Sequence, residues 1–580
     1  MIRLVKSVLT LNTERRSLQG MYLEDKFSDK YFQVATVAEM NPDDARELGV
    51  KDRLKLSNNG VSVVVRVRVT DRVPRGTIFL LPTPWANALV SGETDGIGVP
   101  SFRDERMIAE STDEPVTTLS EVLKLLGAKN LGIPYGTEIP LKDGERRVVE
   151  NVVCTLCGEV CDYLRIELVG NRIVRNLGGC TKSNSKFLNY HKNRILKPYI
   201  RKDSKLVEVT LEEALDRAAD ILANSKYPLI YGLATTSNEA VEEAVKLAEL
   251  VRGVVDNAST FCHGPTSLAF QEVGGVYTTF GDVVNLADLL IFWGADPVNS
   301  HINHITRIVT AKGVYVRGRK ERKVVVIDVR RTELADMADL FIRVEPGRDL
   351  ELITALRMAV NEFEIEADKV AGVSREDIYK LAEMMQTAKY GVIFYGLGLT
   401  ENGAKYRNVQ ELFKLVQDLN EWTKFAVMPM RGHGNVVGGN EVMLWMTGFP
   451  YAIDFARGFP RMYVGMTTTM DLLMNGDVDA ALIVGTDPAA SFPRKALEHL
   501  SKIPVIVIDP KWSLTTAFAD VIIPSGMTGI ECGGSVYRMD KVPIKLKKFL
   551  DPPPGVLCDA EILKMLVNKV VQRKYGGAQS

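Results

Sequence analysis

Long apolar runs are missing from this chain. The longest, such as Asp288–Gly294 and Val505–Ile508, are strand-sized and far short of the roughly 20 residues that span a bilayer. Membrane insertion is therefore not expected. Excess charge of either sign is also missing: 72 lysines and arginines oppose 73 aspartates and glutamates, a net of −1. That balance leaves no broad positive field to hold nucleic acid or anionic lipid. The opening residues MIRLVKSVLTLNTERR lack the apolar core and small-residue cleavage site of a secretory leader, so a cytoplasmic chain is expected. Cysteine is scarce, 7 in 580 residues, which excludes the cysteine-dense scaffold of small secreted domains. With 46% hydrophobic and 25% charged residues the composition is that of an ordinary globular protein. Its length calls for three to five domains rather than one core.

What is present changes character along the chain. To about residue 110 it reads as β-rich. VSVVVRVRVT (61–70) alternates apolar and charged side chains, TIFLLP (77–82) is a second strand, and SNNG (57–60) is a hairpin signal. NPDDARELG (41–49) reads as a short helix with Asn41 as N-cap and Pro42 in its first turn. This composition predicts a small β-barrel domain over 1–110. Residues 111–147 read as a linker with one short helix near Leu119–Leu126. A cysteine-rich segment occupies 148–200, and from 201 to 580 strands and helices alternate. Continuous β-branched runs separated by helices imply parallel sheets buried on both faces.

The α/β region contains a pseudo-repeat. ADLLIFWGADP (287–297) matches VDAALIVGTDP (478–488), and the following VVVIDVRRTELADMADLFIRVEPG matches VIVIDPKWSLTTAFADVIIPSG. Each copy is a strand ending in Gly-x-Asp-Pro, a strand ending in Asp, then Ala-Asp before a short strand. Acidic residues at the carboxyl ends of parallel strands can bind the ribose or base of a nucleotide, so two halves predict two nucleotide-like ligands. A turn-capping role is the alternative.

Four of the cysteines fall in CTLCGEVCDYLRIELVGNRIVRNLGGC, that is Cys154, Cys157, Cys161 and, beyond a hairpin turning at Gly170-Asn171, Cys180. Four converging thiolates suit zinc or an iron–sulfur cluster. The asymmetric spacing, one Cys-x2-Cys plus two single cysteines, favours [4Fe–4S] over a zinc ribbon. Lys182 and Lys186 follow closely, and a cation there would offset the charge of a reduced cluster; for Lys186 a solvated side chain is an equal alternative. Cys262, in FCHGPTSLAF, stands where a helix with Pro265 near its start begins. Exposed helix N–H groups would lower the thiol's pKa and make it a nucleophile or soft-metal ligand. Adjacent His263 could then do acid–base work. A buried, inert cysteine is the alternative. MRGHGNVVGGN (430–440) reads as a loop exposing Arg431 and His433, with Arg431 suited to a carboxylate or to a structural ion pair.

Taken together, CTLCGEVC, FCHGP, FWGADP, VVVIDVRRTELADMADLFIRVEPGRDLEL, MRGHGN, DFARGFPR and GIECGGSVYRMDKVP resemble the molybdopterin-dependent oxidoreductases, and more narrowly the catalytic B-type subunit of formylmethanofuran dehydrogenase. NPDDARELGVKDRLKLS and LPTPWANALVSGETDGIGVPSF resemble its separate D-type subunit, a molybdopterin dinucleotide-binding barrel, which here is fused in front. The resemblance implies an α/β multi-domain fold of the formate dehydrogenase/DMSO reductase type with an N-terminal double-psi β-barrel. It implies tungsten or molybdenum held by two molybdopterin guanine dinucleotides, with Cys262 as protein ligand. It further implies a [4Fe–4S] cluster on Cys154, Cys157, Cys161 and Cys180, and reversible reduction of carbon dioxide to formate, the first step of methanogenesis. His263 and Arg431 would face the reacting carbon, and Lys182 would lie between cluster and pterin. Asp328, Thr332, Gly347, Asp349, Asp487 and Asp509, with Pro84, Trp85 and Asn87 of the barrel, are carried over as dinucleotide contacts. The implied partners are a separate amidohydrolase-like subunit that condenses formate with methanofuran, and iron–sulfur electron carriers. Ser183 and Gly434 depart from the residues that relatives carry, and Cys532 and Cys558 are expected to be structural only. A stand-alone formate dehydrogenase and a metal-free scaffold are the competing readings.

Overall fold

The computed structural model describes residues 6–576. Near the N-terminus six strands close into a barrel, in the order Lys6–Thr13, Thr77–Leu80, Val37–Met40, Val61–Val69, Arg53–Asn58, Arg103–Ser111. The alternation in 61–69 points Val61, Val63 and Val65 inward. Asn59 and Gly60 both take left-handed backbone at the hairpin tip, the geometry an Asn-Gly turn supplies. Asn41 caps the helix Pro42–Glu47 by accepting from the Asp43 N–H at 2.9 Å.

Two parallel sheets follow. The first orders its strands Leu340–Arg343, Lys323–Asp328, Leu289–Trp293, Tyr390–Tyr395, Lys424–Pro429. The second contains the same series as Val521–Pro524, Val505–Asp509, Ala480–Val484, Pro228–Gly232, Val254–Asn257, extended at both edges by short antiparallel strands to nine in all. The pseudo-repeat is therefore a repeat of topology as well as of sequence. Even the Ala-Asp signature recurs in its role: Asp339 accepts from the Val324 N–H at 2.7 Å, and Asp520 from the Val505 N–H at 2.8 Å. Each carboxylate satisfies an N–H at the start of a buried strand. The strand interiors Val324–Ile327 and Val505–Ile508 are fully buried, each side chain contributing roughly 1.5–3 kcal/mol.

The barrel shares one apolar core with the nine-stranded sheet, running from Leu11, Leu56 and Trp85 through to Phe492 and Trp512. Segment 112–145 lies across that junction. Its helix Leu119–Leu125 buries Val122 and Leu123, and the Lys129 and Asn130 N–H groups both donate to the Ala517 carbonyl at 3.0 Å. The strand Arg146–Val152 then pairs with Leu164–Val169, which pairs with Arg172–Leu177, and this three-stranded sheet frames the four cysteines.

Candidate functional site

The carboxyl ends of the two repeated halves open into one cavity. Gly294, Ala295 and Asp296 line it from the first half, and Gly485, Thr486 and Asp487 from the second. Asp328 and Asp509, each closing the next strand, also face it. The barrel supplies a further wall through Thr13, Asn87 and Arg103. The cavity has room for water-sized molecules over about 330 Å³ and opens to solvent. The repeat thus positions its acidic strand ends around a shared volume.

Cys262 lies on the cavity wall in the first turns of the helix Thr260–Val273. Directly before it, the buried Asp256 carboxylate gathers the Asn257, Ala452 and Thr469 N–H groups and the Thr260 and Thr469 hydroxyls. Three separate segments are thereby held around the cysteine. The expected lowering of its pKa is not what this geometry produces: burial pushes the thiol up to about 12, and the nearby Arg431 only partly opposes it. Desolvation outweighs the helix start here.

His263 is fully buried and is not among the cavity-lining residues. Its backbone leaves helical geometry (φ −127°), and Pro265 resumes the helix behind it. Burial, reinforced by Arg431, holds the imidazole well below its ordinary pKa, so it is neutral. Its Nε2 faces the Met430 carbonyl at 3.3 Å and is therefore the protonated nitrogen; Nδ1 accepts from the Thr266 hydroxyl at 3.1 Å, which itself accepts from Tyr395 at 3.0 Å.

Met430, Arg431 and Gly434 are buried and Gly432 and His433 half-buried rather than exposed, and 436–447 is helix rather than loop. Arg431 does not line the cavity; its Nη1 donates to Asn440 Oδ1 at 3.0 Å and its Nε is buried without a partner. His433 does line it, neutral because burial lowers its pKa to about 3, with Nδ1 unpartnered. Gly434 has a structural reason: a Cβ there would fall 2.1 Å from the Thr155 carbonyl oxygen. The Arg-Gly-His-Gly segment thus packs directly against the cysteine loop.

Cys154, Cys157, Cys161 and Cys180 line a small second pocket together with Lys182 and His301. A single tetrahedral zinc would draw its thiolates to about 3.8 Å of one another, from Zn–S bonds of about 2.3 Å. Among the described residues no three His, Cys, Asp or Glu side chains gather in that manner. The four cysteines share one pocket without closing on a single point. Lys182 is buried, donates to the Ser300 carbonyl, and occupies space that Gly20 leaves free. Lys186 is buried too, donating to Thr155 Oγ1 at 2.8 Å, so the solvated alternative is excluded.

His301, which sequence reasoning passed over, lines both pockets and donates from Nε2 to the Arg431 carbonyl at 2.7 Å. Nearby, His304 Nδ1 meets Glu159 Oε2 at 3.0 Å, both fully buried. Scarcity was the available signal. The chain has 6 histidines; His301 and His433 line these pockets, and His263 and His304 are fully buried.

The carried-over dinucleotide contacts divide. Asn87, Asp328, Asp487 and Asp509 line the cavity. Pro84, Trp85, Thr332, Gly347 and Asp349 do not. Trp85 is barrel core and donates to the Thr117 carbonyl at 2.7 Å. Thr332 caps a short turn, accepting from the Ala335 N–H. Gly347 takes φ +76° where a Cβ would strike Asp104. Asp349 binds Trp293 Nε1 and Asn402 Nδ2, both at 2.8 Å. Cys532 and Cys558 form a disulfide, a pairing not expected from the sequence.

The cavity fits a large polar ligand. Asn87 Oδ1, Asp296 Oδ1, His433 Nδ1, Trp512 Nε1 and Ser513 Oγ are buried on its wall without protein partners. Each such orphan costs roughly 1–3 kcal/mol until something satisfies it. A ligand offering many donors and acceptors meets that need, and Cys262 offers a soft donor beside it.

Comparison with known proteins agrees with this chemistry. Residues 194–569 match the family model for molybdopterin oxidoreductase, and residues 8–104 that for the molydopterin dinucleotide binding domain. The B-type subunit of tungsten-containing formylmethanofuran dehydrogenase 2 from Methanocaldococcus jannaschii is 44% identical, across 73% of this chain and 99% of that protein. Its counterpart from Methanococcus maripaludis is 40% identical, across 74% and 100%. Among solved structures, a chain of the formyltransferase/hydrolase complex of Methylorubrum extorquens, determined with methylofuran, superposes with a TM-score of 0.54 at 22% identity, across 65% of this chain and 99% of that one. That likeness concerns the fold.

Proposed function

The chain belongs to the molybdopterin oxidoreductase family and, within it, to the B-type subunits of formylmethanofuran dehydrogenases, and from that premise we propose that it reversibly reduces carbon dioxide to formate as the redox half of such an enzyme. The observation that carries the reading is Cys262 on the wall of the cavity where both Gly-x-Asp-Pro strand ends meet. Two pterin dinucleotides would lie along the pseudo-equivalent strand ends, held by Asn87, Asp328, Asp487 and Asp509, with tungsten or molybdenum on Cys262. Bound there, the group supplies a two-electron couple on a metal ringed by soft sulfurs.

The remaining work falls to this chain's own side chains. A cysteine that burial keeps protonated up to about 12 becomes a thiolate only against a bound cation, so its ionisation is tied to loading. Arg431 stands behind the cavity wall with an unmatched Nε–H, steadied through Asn440, which also donates to Ser259 Oγ at 2.8 Å, and would bind a carboxylate on turning toward the cavity. Neutral His263, backed by Thr266 and Tyr395, holds a movable proton at Nε2. Cys154, Cys157, Cys161 and Cys180 would hold a [4Fe–4S] cluster, with Lys182 and His301 between it and the main cavity.

The B-type relatives are covered along 99–100% of their length by under three quarters of this chain. The dinucleotide-binding match at 8–104 is then an added module, a fusion of D-type and B-type subunits. Formate would pass to a separate amidohydrolase-like subunit for condensation with methanofuran, and iron–sulfur proteins would deliver electrons. The test is elemental and cofactor analysis of the natively purified complex: tungsten or molybdenum, guanine dinucleotide and about four irons per chain are expected. Cys262→Ala should abolish turnover while the cluster's paramagnetic signal persists. Zinc alone, without a pterin fluorophore after oxidation, would refute the reading.

A further inference from the structure

The two halves of the repeat differ in one conspicuous place. In the second, sixteen residues (489–504) join Gly-x-Asp-Pro to the next strand; in the first, twenty-five (298–322) do so. Connecting the strands does not require the surplus, which includes a loop over 311–322. Its tip is apolar and almost wholly exposed, Val314 and Tyr315 each at 74%. Around the tip stand exposed Lys312, Arg317 and Lys320. Asp339 pairs with Arg319 and Lys323, which leaves those three cations without an ion-pair partner among the described residues.

This loop is built to stay where it is. Arg322 at its base is fully buried and donates to the carbonyls of Ala287, Ile308, Val309, Ala311 and Val284. At the tip the Val314 and Tyr315 N–H groups donate to the Asn285 side chain and carbonyl at 3.0 and 3.2 Å. A preorganised aromatic tip in a cationic skirt is the profile of a protein-binding hot spot, since little ordering entropy remains to be lost.

Its position states what for. The five-residue helical turn Ile305–Val309, whose carbonyls Arg322 grips, follows directly on Ile302 and Asn303 of the four-cysteine pocket's lining, and its Arg307 donates to the Glu159 carbonyl of the cysteine loop at 3.1 Å. Just before it, Asn303 Nδ2 approaches Cys161 Sγ at 3.5 Å, and within it Arg307 pairs with Asp162 at 2.8 Å. We propose that loop 311–322 docks an acidic iron–sulfur protein, whose reduced centre gives one electron to the cluster held by Cys154, Cys157, Cys161 and Cys180. The partner's centre is oxidised, this cluster is reduced, and no proton or bond is involved. This rests on the reading of that pocket as an electron-carrying cluster.

The experiment uses the natively purified complex with two donors, reduced methyl viologen and a reduced ferredoxin of net negative charge. The variant K312E/R317E/K320E should keep the dye-driven rate and raise the ferredoxin KM about tenfold or more, with the salt dependence of the wild-type KM abolished. Tyr315→Ser should raise the KM while leaving the salt dependence in place. Unchanged ferredoxin KM in both variants overturns the proposal. So does loss, from the triple variant, of a subunit that carries no iron–sulfur centre. A wild-type complex inactive even with the dye would refute the redox reading itself, and this inference with it.

Discussion

Asp509 concentrates the electrostatics of the cavity at a single side chain. Burial pushes it up to about 8, Asp349 up to about 7 and Asp328 up to about 6. Asp487, its counterpart on the neighbouring strand, goes the other way: burial opposes ionisation, but Lys26 at 2.8 Å and the Thr515 N–H and hydroxyl keep it below the usual carboxylate range. A carboxyl whose folded pKa is raised favours folding most fully while protonated, below about pH 4, and that contribution is lost as pH rises through the folded value. Above about pH 6.5 His263, His301 and His433, whose lowered pKa values act in the opposite sense at lower pH, are neutral folded or unfolded, so the cofactor-free chain should lose stability as pH rises through the values of about 7 and 8. Thermal melts across that range check this, and Asp509→Asn should flatten the upper part of the slope. Stability that climbs with pH over the same interval would contradict it. At this scale the sequence was only partly informative. Cys154, Cys157, Cys161 and Cys262 announce themselves by spacing and company. Arg194 and Glu531 do not: their fully buried pair at 2.7 Å joins positions 337 apart, and only the fold brings them together. Thr332 and Asp349 resemble ligand contacts because their motif is shared, yet here their polar atoms are used by the protein itself.

Among the elements, the repeated strands were the most legible. Runs such as Val505–Asp509 are β-branched, bounded by turns and buried on both faces, so composition alone identifies them. The antiparallel edge strands Ile453–Asp454 and Arg461–Met462 were not, since two residues carry no period and their pairing is set by the neighbouring sheet. The C-terminal helix Asp559–Tyr575 shows how a distant link escapes a sequence reading. Its N-cap residue, Cys558, is bonded to Cys532, which lies 26 residues earlier beside the cavity-lining Gly526–Thr528. Closing a loop of that size removes about 3 kcal/mol of unfolded-state freedom. Cys532→Ser should lower the stability of the chain by about that amount in denaturant unfolding, and adding reductant to the wild type should reproduce the loss. Equal stability with and without the bond would show that the helix is held by its packing on Leu215, Leu222 and Val245 alone.

For the whole molecule, the junction of barrel and body turns on Glu39. This buried carboxylate, on the barrel strand Val37–Met40, accepts from Arg16 at 2.8 Å, from Arg68, and from Arg330 of the body at 2.7 Å. Arg330 is itself buried and sits over the Phe79 ring at 5.2 Å. Glu39→Gln removes one carboxylate from Arg330, which keeps Glu14 at 2.9 Å, and from Arg16, which keeps Glu333 at 2.7 Å, and should weaken docking by about 1–3 kcal/mol. Limited proteolysis is the measure: cleavage within 112–145 should accelerate while barrel and body survive as intact fragments. Unchanged cleavage would place the strength of the junction in its apolar core instead.

That junction also orders events in time. The cavity wall draws on residues from Thr13 to Asp559. A ribosome making this protein finishes the barrel first, yet no ligand meets a complete set of contacts until the helix beginning at Asp559 has emerged. A ligand that needs the whole wall can therefore be fully held only once synthesis is complete. The charged seam around Glu39 ties the part made first to the part made later, through Arg330.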